Sequence, residues 1–280
     1  MTQETRKNLI ICSVIVFSLA LIYQNQIKTE IKERIAEASD VQQPKIEVDY
    51  FKDVQIEAKG GYVLDVAKNK VIFNKNAGEQ LPLASLTKIM TAVVAKEVYN
   101  SGNKYLPEDK FKSLMVAMLV ESNNDAASVI AKSMEAGGAI NFVGLMNKKA
   151  GEMGLAKTIF SNPTGLDLSD TVAGAYGSAE EVAKLLVYGY KNYPNVFEVT
   201  KYPEVEADGR MVVNKNELVK KFPNIVAGKT GLTDLAAGNL AVIFGSGQKI
   251  FVVAVLGSSE QGRFSDVEIL INTITQYIQQ

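Results

Sequence analysis

The sequence predicts an α/β (α+β) fold with one antiparallel sheet that takes strands from both ends of the folded region. Strand-like runs come first, at residues 60–78, and return from about residue 200 onward. Helical patterns fill the stretch between them, and a last helical pattern closes the chain. We therefore expect a single folded domain over residues 50–280, with helices flanking the sheet and a helical region inserted into it.

The composition of the 280 residues excludes several classes of protein. With 47% hydrophobic and 22% charged residues the chain is of the ordinary folded kind, and a formal net charge of -1 gives no basis for binding nucleic acid. Histidine is absent, which excludes a Ser-His-Asp triad, a Cys-His pair and the usual zinc ligand sets. Cys12 is the only cysteine, so no disulfide can form within the chain. We expect no metal, no cofactor and no nucleic-acid partner.

An apolar run at the N-terminus, "LIICSVIVFSLALIY" at 9–23, follows Arg6 and Lys7. It is shorter than the roughly 20 residues that span a bilayer comfortably. A cleaved signal peptide is one interpretation, with the small residues at 18–20 as its cleavage site, but the apolar run continues past that point. We therefore expect residues 1–24 to form an uncleaved, single-pass anchor in the cell membrane. The positive flank stays inside, so the rest of the chain is extracytoplasmic, or secreted if the segment is cleaved.

Residues 25–49 form a polar spacer between that segment and the folded domain. Ile27, Ile31 and Ile35 recur at four-residue spacing among charged residues, which predicts a short helix. Three isoleucines are too few for a coiled coil, so a stalk or linker is the expected role.

The folded domain opens with two short strands in residues 60–78, joined by a turn at Lys68-Asn69. Helical segments with apolar side chains on one face follow. The predicted helices are "SLTKIMTAVVAKEVYN", "EDKFKSLMVAMLV", "DAASVIAKSM", "INFVGLMNKKAGEMG" and "SAEEVAKLLVYGYKN". The predicted late strands are "GRMVVNKN", "IVAGKTGL", "GNLAVIFGS" and "KIFVVAVLGS", followed by the helix "SDVEILINTITQYI".

Ser85 and Lys88 stand at positions i and i+3 at the start of a long apolar helix, within "LPLASLTKIMTAV". That spacing brings the two side chains within reach of each other. A serine hydroxyl becomes a good nucleophile once a base takes its proton, and a lysine can be that base if burial lowers its pKa. The pair is therefore a candidate nucleophile and base in a chain without histidine.

The Ser-x-x-Lys spacing alone is weak evidence, because it recurs at Ser101 and Ser246. A helix cap followed by a solvated lysine is the competing interpretation of Ser85 and Lys88. The context favours Ser85 as the nucleophile, since Ser101 follows a helix end and Ser246 lies in a turn between strands.

Ser122 and Asn124 lie in a loop between two helical patterns, in "ESNNDAASVIA". A hydroxyl there can relay a proton, and an amide can hold a peptide carbonyl. The alternative role of Asn124 and Asp125 is to cap the following helix, and the Ser-x-Asn form also recurs at 101–103.

Lys229, Thr230 and Gly231 end a predicted strand in "VAGKTGLTD". A lysine and a hydroxyl at a sheet edge suit an extended, anionic peptide, and a glycine lets that peptide backbone approach closely. An ordinary transition from strand to turn is the alternative interpretation.

Taken together and in this order, the three motifs resemble those of the penicillin-binding-protein-type serine peptidases, and among them the D-alanyl-D-alanine carboxypeptidases. The resemblance extends over about residues 55–275 and includes "YVLDVAKNKVIFNKNAGEQLPLASLTKIMTA", "GLMNKKA", "FSNPTGLD", "GKTGLTDLAAGNL" and "VVAVLGSSEQGRFSD". It implies a β-lactamase/transpeptidase-like fold. Class A β-lactamases carry an E-x-x-L-N loop that is absent between Ser122 and Lys229, which favours a carboxypeptidase.

The resemblance implies that the catalytic residues are Ser85, Lys88 and Ser122. Ser85 would attack the carbonyl of the penultimate D-alanine and form an acyl-enzyme, and Lys88 would accept the serine proton. Ser122 would relay a proton to the leaving D-alanine. Water would then hydrolyse the ester.

The resemblance also implies a set of substrate-binding residues. Asn124 would orient Lys88 and the substrate amide. Lys229 and Thr230 would hold the terminal carboxylate, beside the backbone of Gly231.

Backbone N–H groups complete the implied site. Those of Ser85 and Leu232 would form the oxyanion hole. An arginine that some relatives use for the carboxylate has no clear counterpart here, and we expect Arg263 to pair with an acidic neighbour.

The implied substrate is a peptidoglycan stem peptide ending in D-Ala-D-Ala, and the implied inhibitors are β-lactams. The membrane would be the partner of the N-terminal segment. A D,D-endopeptidase or a β-lactamase would use the same residues and remains an alternative. A non-catalytic homologue that binds cell-wall peptide is a further one.

Overall fold

The structure is a computed structural model that describes residues 2–7, 18, 21–30, 32–33, 49–102, 105–136, 138, 141–247 and 249–279. Its contacts divide the chain into two units, Met1–Asp49 and Tyr50–Gln280. In the first unit, residues 3–7 and 21–30 are helical. The predicted membrane anchor, with Cys12, and the predicted stalk lie largely outside the described residues. None of the described helices is long and apolar enough to cross a bilayer.

The second unit is built on a five-stranded antiparallel sheet with the strand order β2-β1-β10-β9-β8. Its strands are β1 (Gly60–Asp65), β2 (Lys70–Lys75), β8 (Ile225–Thr233), β9 (Ala237–Ser246) and β10 (Lys249–Ser258). β1 pairs with β10, so strands from the two ends of the domain lie side by side. This confirms the predicted α/β (α+β) class with a sheet made from N-terminal and C-terminal strands. β8 lies at one edge of the sheet, and among the described residues its only strand partner is β9.

Period-two alternation in β10 explains why the sheet is covered on both faces. Val253 and Val255 belong to the core that includes Val267 of the closing helix. Val252 and Ala254 point the other way, into the core formed with the central helices. The unbroken apolar run "IFVVAVL" therefore supplies both cores from a single strand.

The central helices cover one face of the sheet, and the closing helix covers the other. The helices are α1 (Thr87–Asn100), α2 (Glu108–Val120), α3 (Asn124–Glu135), α4 (Phe142–Glu152), α5 (Ala179–Asn192), α6 (Pro194–Phe197), α7 (Leu218–Lys221) and α8 (Gly262–Tyr277). The five predicted central helices and the closing helix are all present. α1 begins at Thr87, two residues after the predicted start, because a one-turn 3₁₀ helix at Ala84–Leu86 precedes it.

Two small sheets were not predicted from the sequence, but the predicted late strand "GRMVVNKN" lies in one of them and is not part of the five-stranded sheet. One has the order β3-β5-β4, and the other is a hairpin of β6 and β7. Their strands are β3 (Leu81–Pro82), β4 (Ile159–Phe160), β5 (Ala175–Gly177), β6 (Glu204–Ala207) and β7 (Arg210–Val213). Most of these strands are too short to show a period-two pattern. The three-stranded sheet leads directly into the 3₁₀ turn, where Leu83 N donates to Ala175 O at 3.0 Å.

The carboxylate of Asp266 fixes the start of the folded domain to α8. It accepts hydrogen bonds from Glu57 N at 2.7 Å, Ala58 N at 2.8 Å and Ser258 Oγ at 2.7 Å. The side chain is buried, so these three donors replace the water that the carboxylate would otherwise bind.

We expect Asp266→Ala to lower the free energy of unfolding by about 3 kcal/mol, because three donors lose a charged acceptor in a buried site. Asp53→Ala, which removes an exposed carboxylate from the same N-terminal part of the domain, is the matched control. Urea unfolding of both variants measures the difference. Equal stability of the two variants would contradict this account of the junction.

Candidate active site

Ser85 lies in the middle of the 3₁₀ turn, between β3 and α1. The residue before it, Ala84, has a φ of 52°, a left-handed conformation that is strained for a residue with a side chain. Two glycines make room for this turn. A Cβ on Gly165 would lie 1.8 Å from Ala84 O, and one on Gly231 would lie 2.9 Å from Leu83 O. The turn therefore packs directly against backbone on both sides.

Lys88 lies in the first turn of α1 and is 0% exposed. Its Nζ atom is 3.0 Å from Ser85 Oγ, 2.7 Å from Asn124 Oδ1 and 2.8 Å from Thr164 O. Burial lowers the pKa of Lys88 to about 7. Ser85 makes no capping hydrogen bond, so the alternative of a helix cap beside a solvated lysine is wrong.

The three partners of Lys88 differ in what they can donate. Asn124 Oδ1 and Thr164 O only accept hydrogen bonds, whereas the hydroxyl of Ser85 can also donate one. A neutral amine satisfies the two carbonyl oxygens with its two N–H groups. Its lone pair is then left for the proton of Ser85, which is the arrangement that a base requires.

Ser122 lies in the connection between α2 and α3, and Asn124 is the first residue of α3. Ser122 has a φ of 65°, which turns the chain sharply before the next helix. Asn123 is the cap of α3, because its side chain accepts from Ala126 N at 2.8 Å. Asn124 is therefore free of the capping role considered for it and points its amide at Lys88 instead.

Lys229 lies on the edge strand β8 and is 2% exposed. Its Nζ atom donates to Ser122 Oγ and to Thr230 O, both at 2.8 Å. Burial, followed by the positive charges of Lys88 and Arg263, lowers the pKa of Lys229 well below its usual value. The structure thus links β8 to the α2–α3 connection through one buried lysine.

The expected pairing of Arg263 with an acidic neighbour is wrong. Its Nη1 atom donates to Gly231 O at 2.7 Å, and no carboxylate of a described residue lies within ion-pair distance of it. Its Nε atom is buried without a hydrogen-bond partner among the described residues. Burial lowers the pKa of Arg263. The guanidinium group therefore supports the end of β8 and adds positive charge beside it.

The predicted site residues come together, and the other Ser-x-x-Lys serines lie elsewhere. Ser101 follows the C-terminal end of α1, whereas Ser85 precedes its N-terminal end. Ser246 is the last residue of β9, far along the strand from Gly238, the residue that pairs with Leu232.

Sequence reasoning missed the role of the segment at 161–174, which we call the covering loop. Its Thr164 supplies a carbonyl to Lys88, and its Asn162 side chain accepts from Thr164 N and Gly165 N at 3.1 and 2.7 Å. The turn residues in "SNPTG" were the signal for this loop. That signal indicates a turn, but it does not say which side chain the turn covers.

The fold is that of the penicillin-binding proteins. A solved structure of penicillin-binding protein D2 from Listeria monocytogenes, in its cefotaxime-bound form, matches this chain with a TM-score of 0.71. The two sequences are 26% identical, and the match covers 79% of this chain and 98% of that chain. The predicted β-lactamase/transpeptidase-like fold is confirmed.

Within that class, this chain belongs to the D-alanyl-D-alanine carboxypeptidase family, whose sequence model matches residues 45–109 and 96–260. The D-alanyl-D-alanine carboxypeptidase DacF of Bacillus subtilis is 31% identical over 72% of this chain and 58% of its own length. A D-alanyl-D-alanine endopeptidase of Escherichia coli is 28% identical over 82% of this chain and 77% of its own. This chain thus spans less than two thirds of the carboxypeptidase that it matches.

We expect Lys88→Met to stabilise the fold in a pH-dependent way. The pKa of Lys88 is about 7 in the folded chain against 10.5 for an ordinary lysine, so between these pH values the unfolded chain binds more protons. The penalty for burying Lys88 is therefore full below pH 7 and fades as the pH rises to 10.5. The stability difference between Lys88→Met and the unmodified chain should shrink by about 4 kcal/mol across that window.

Denaturant unfolding at several pH values measures this change, and Lys132→Met, at an exposed position of α3, is the matched control. The control should show no such trend. If the stability difference between Lys88→Met and the unmodified chain did not change with pH, the Lys88 amine would have the same pKa in the folded and the unfolded chain.

Proposed function

We propose that this protein is a serine D,D-carboxypeptidase that removes the terminal D-alanine from peptidoglycan stem peptides through an acyl-enzyme on Ser85. The observation that carries the proposal is the 3.0 Å contact between Ser85 Oγ and the buried Nζ of Lys88. Membership of the D-alanyl-D-alanine carboxypeptidase family supports the same reaction.

Acylation begins with transfer of the Ser85 proton to the neutral amine of Lys88. The serine oxygen attacks the carbonyl carbon of the penultimate residue, and the C–N bond to the terminal D-alanine breaks. Ser122 relays a proton to the nitrogen of the leaving D-alanine, supported by Lys229 at 2.8 Å. Water then hydrolyses the ester and frees Ser85.

The substrate lies along the free edge of β8. Lys229 and Thr230 hold its terminal carboxylate, and Arg263 adds positive charge behind Gly231. Gly231 lets β8 lie close to the 3₁₀ turn that carries Ser85, because a Cβ there would lie 2.9 Å from Leu83 O. A substrate peptide with an extended backbone can pair with an edge strand through main-chain hydrogen bonds.

Two groups orient the reacting carbonyl. The backbone N–H groups of Ser85 and Leu232 form the oxyanion hole, which contributes about 3 kcal/mol per donor to the stability of the transition state. Asn124 holds the substrate amide while its Oδ1 atom orients Lys88.

A β-lactam carries a strained amide in the position of the scissile bond and acylates the same serine. The cefotaxime-bound form of the Listeria protein supports this expectation for the present chain. A D,D-endopeptidase is the second candidate, because one of the matching relatives is an endopeptidase of Escherichia coli. A β-lactamase or a non-catalytic peptide-binding homologue would use the same residues along the edge of β8.

The location of the protein follows from its first 24 residues, which we propose to be a membrane anchor. An apolar run behind Arg6 and Lys7 supports this, with the catalytic domain on the extracytoplasmic side. The polar residues at 25–49 would separate the domain from the bilayer. Cleavage of the leader would give a secreted form.

We expect Ser85→Ala to abolish labelling by a fluorescent penicillin and to lower D-alanine release at least about a thousandfold, because the nucleophile is lost. Ser101→Ala and Ser246→Ala are matched controls from the other Ser-x-x-Lys sequences and should retain both activities. Labelling of the Ser85→Ala variant would overturn the assignment.

Product analysis with the unmodified chain decides among the alternatives. Release of D-alanine from a stem peptide would identify a carboxypeptidase. Cleavage of a cross-linked muropeptide would identify an endopeptidase, and turnover of nitrocefin would identify a β-lactamase. Penicillin labelling without any released product would identify a binding homologue.

A further inference from the structure

The covering loop is fastened to the end of β8 by the carboxylate of Asp167. Its Oδ1 atom accepts from Thr233 Oγ1 at 3.1 Å, and its Oδ2 atom accepts from Leu235 N at 3.2 Å. Thr233 Oγ1 also accepts from Ala236 N at 3.2 Å, so its hydroxyl is held in place on both sides. Asp167 thus joins the loop to the residues that directly follow Lys229, Thr230 and Gly231.

The other end of the same loop lies on the lysine. Thr164 O is 2.8 Å from Lys88 Nζ, and Gly165 fits against the 3₁₀ turn with no room for a Cβ. Only two residues, Gly165 and Leu166, therefore lie between the residue that contacts Lys88 and the residue that contacts β8. A shift of the loop at Asp167 would be transmitted to Thr164 over that short distance.

The contribution of Asp167 is geometric. The groups that face Lys88 are Ser85, the Asn124 amide, the Thr164 carbonyl and Lys229, with Arg263 on the far side of β8. No carboxylate is among them. Burial alone lowers the pKa of Lys88, so the cover that the loop provides matters more than any nearby negative charge.

We propose that Asp167 is a positioning residue for acylation, which fastens the covering loop to β8 and thereby keeps Thr164 on Lys88 and water away from its amine. The proposal rests on the proposed function for its kinetic readout. Without the hydrogen bonds of Asp167 to the end of β8, water reaches Lys88 and the pKa of its amine rises toward that of an exposed lysine. Acylation then needs a higher pH.

The test compares the pH profile of acylation by a fluorescent penicillin for the unmodified chain, Asp167→Ala, Asp167→Asn and Asp170→Asn. Asp170 is an exposed carboxylate of the same loop, three positions further along the chain. Asp167→Ala should move the midpoint of the acid limb up by about one pH unit, which lowers the neutral fraction of Lys88 at neutral pH about fivefold. Asp170→Asn should leave the profile unchanged.

Asp167→Asn removes the negative charge of the side chain and keeps its shape, so it separates the two contributions. An asparagine can accept from Leu235 N and donate to Thr233 Oγ1, so its profile should lie close to that of the unmodified chain. A shift as large as that of Asp167→Ala would overturn the geometric account. An unshifted profile for Asp167→Ala would overturn the proposal itself.

Hydrogen exchange gives a readout that does not depend on activity. Asp167→Ala should increase exchange at the backbone amides of residues 164–168 and of Leu235, whose acceptor is lost, while Asp170→Asn should not. Unchanged exchange in Asp167→Ala would overturn the proposed role of Asp167, whether or not penicillin acylates the unmodified chain. Failure of penicillin to acylate the unmodified chain would instead contradict the proposed function. If Asp167→Ala does not fold, Thr233→Val removes one of the two hydrogen bonds of Asp167, together with the bond from Ala236 N, and should give a smaller shift of the pH profile in the same direction.

Discussion

The removal of the Lys88 amine from water is the interaction around which the candidate site is arranged. A buried ammonium group without a counter-ion is costly, and the chain reduces that cost by lowering the pKa to about 7. Each partner of the amine comes from a different element: Ser85 from the 3₁₀ turn, Asn124 from α3 and Thr164 from the covering loop. The neutral amine is therefore compatible with its surroundings only when all of these elements are in place.

The same region gathers three basic side chains, and none of them has a carboxylate of a described residue within ion-pair distance. Lys88, Lys229 and Arg263 are all buried, and burial is the first cause of the lowered pKa of each. The free edge of β8 runs beside Lys229 and Arg263, so a peptide carboxylate bound there would supply the missing anion. Such a site sacrifices stability for function, as does the strained left-handed φ of Ala84 and Ser122.

Local features of the site were readable from the sequence, and contacts between distant segments were not. Ser85 and Lys88 are i and i+3, so helix geometry alone brings them together, and the strand-like runs near the end of the chain located β8, β9 and β10. The carbonyl of Thr164 reaches Lys88 from 76 positions away, and no local pattern encodes that contact. Arg263 of α8 was misread for a similar reason, because its partner is a backbone carbonyl of β8, and residue type does not indicate such a contact.

Capping shows how a small local difference decides a role. Either Asn123 or Asn124 satisfies the residue preference for the start of α3, and sequence alone does not separate them. The structure assigns the cap to Asn123, which leaves Asn124 for Lys88. The short strands β3, β4 and β5 escaped prediction because a two- or three-residue strand is held by its partners and not by its own pattern.

The protonation state of Lys88 can be measured directly by NMR. In protein labelled with ¹⁵N at the lysine Nζ position, the resonance that disappears in Lys88→Met belongs to this amine, and its shift can be followed against pH. A midpoint of about 7, well below that of the exposed lysines, is the predicted result. Titration together with the exposed lysines would contradict the claim that a buried neutral amine activates Ser85.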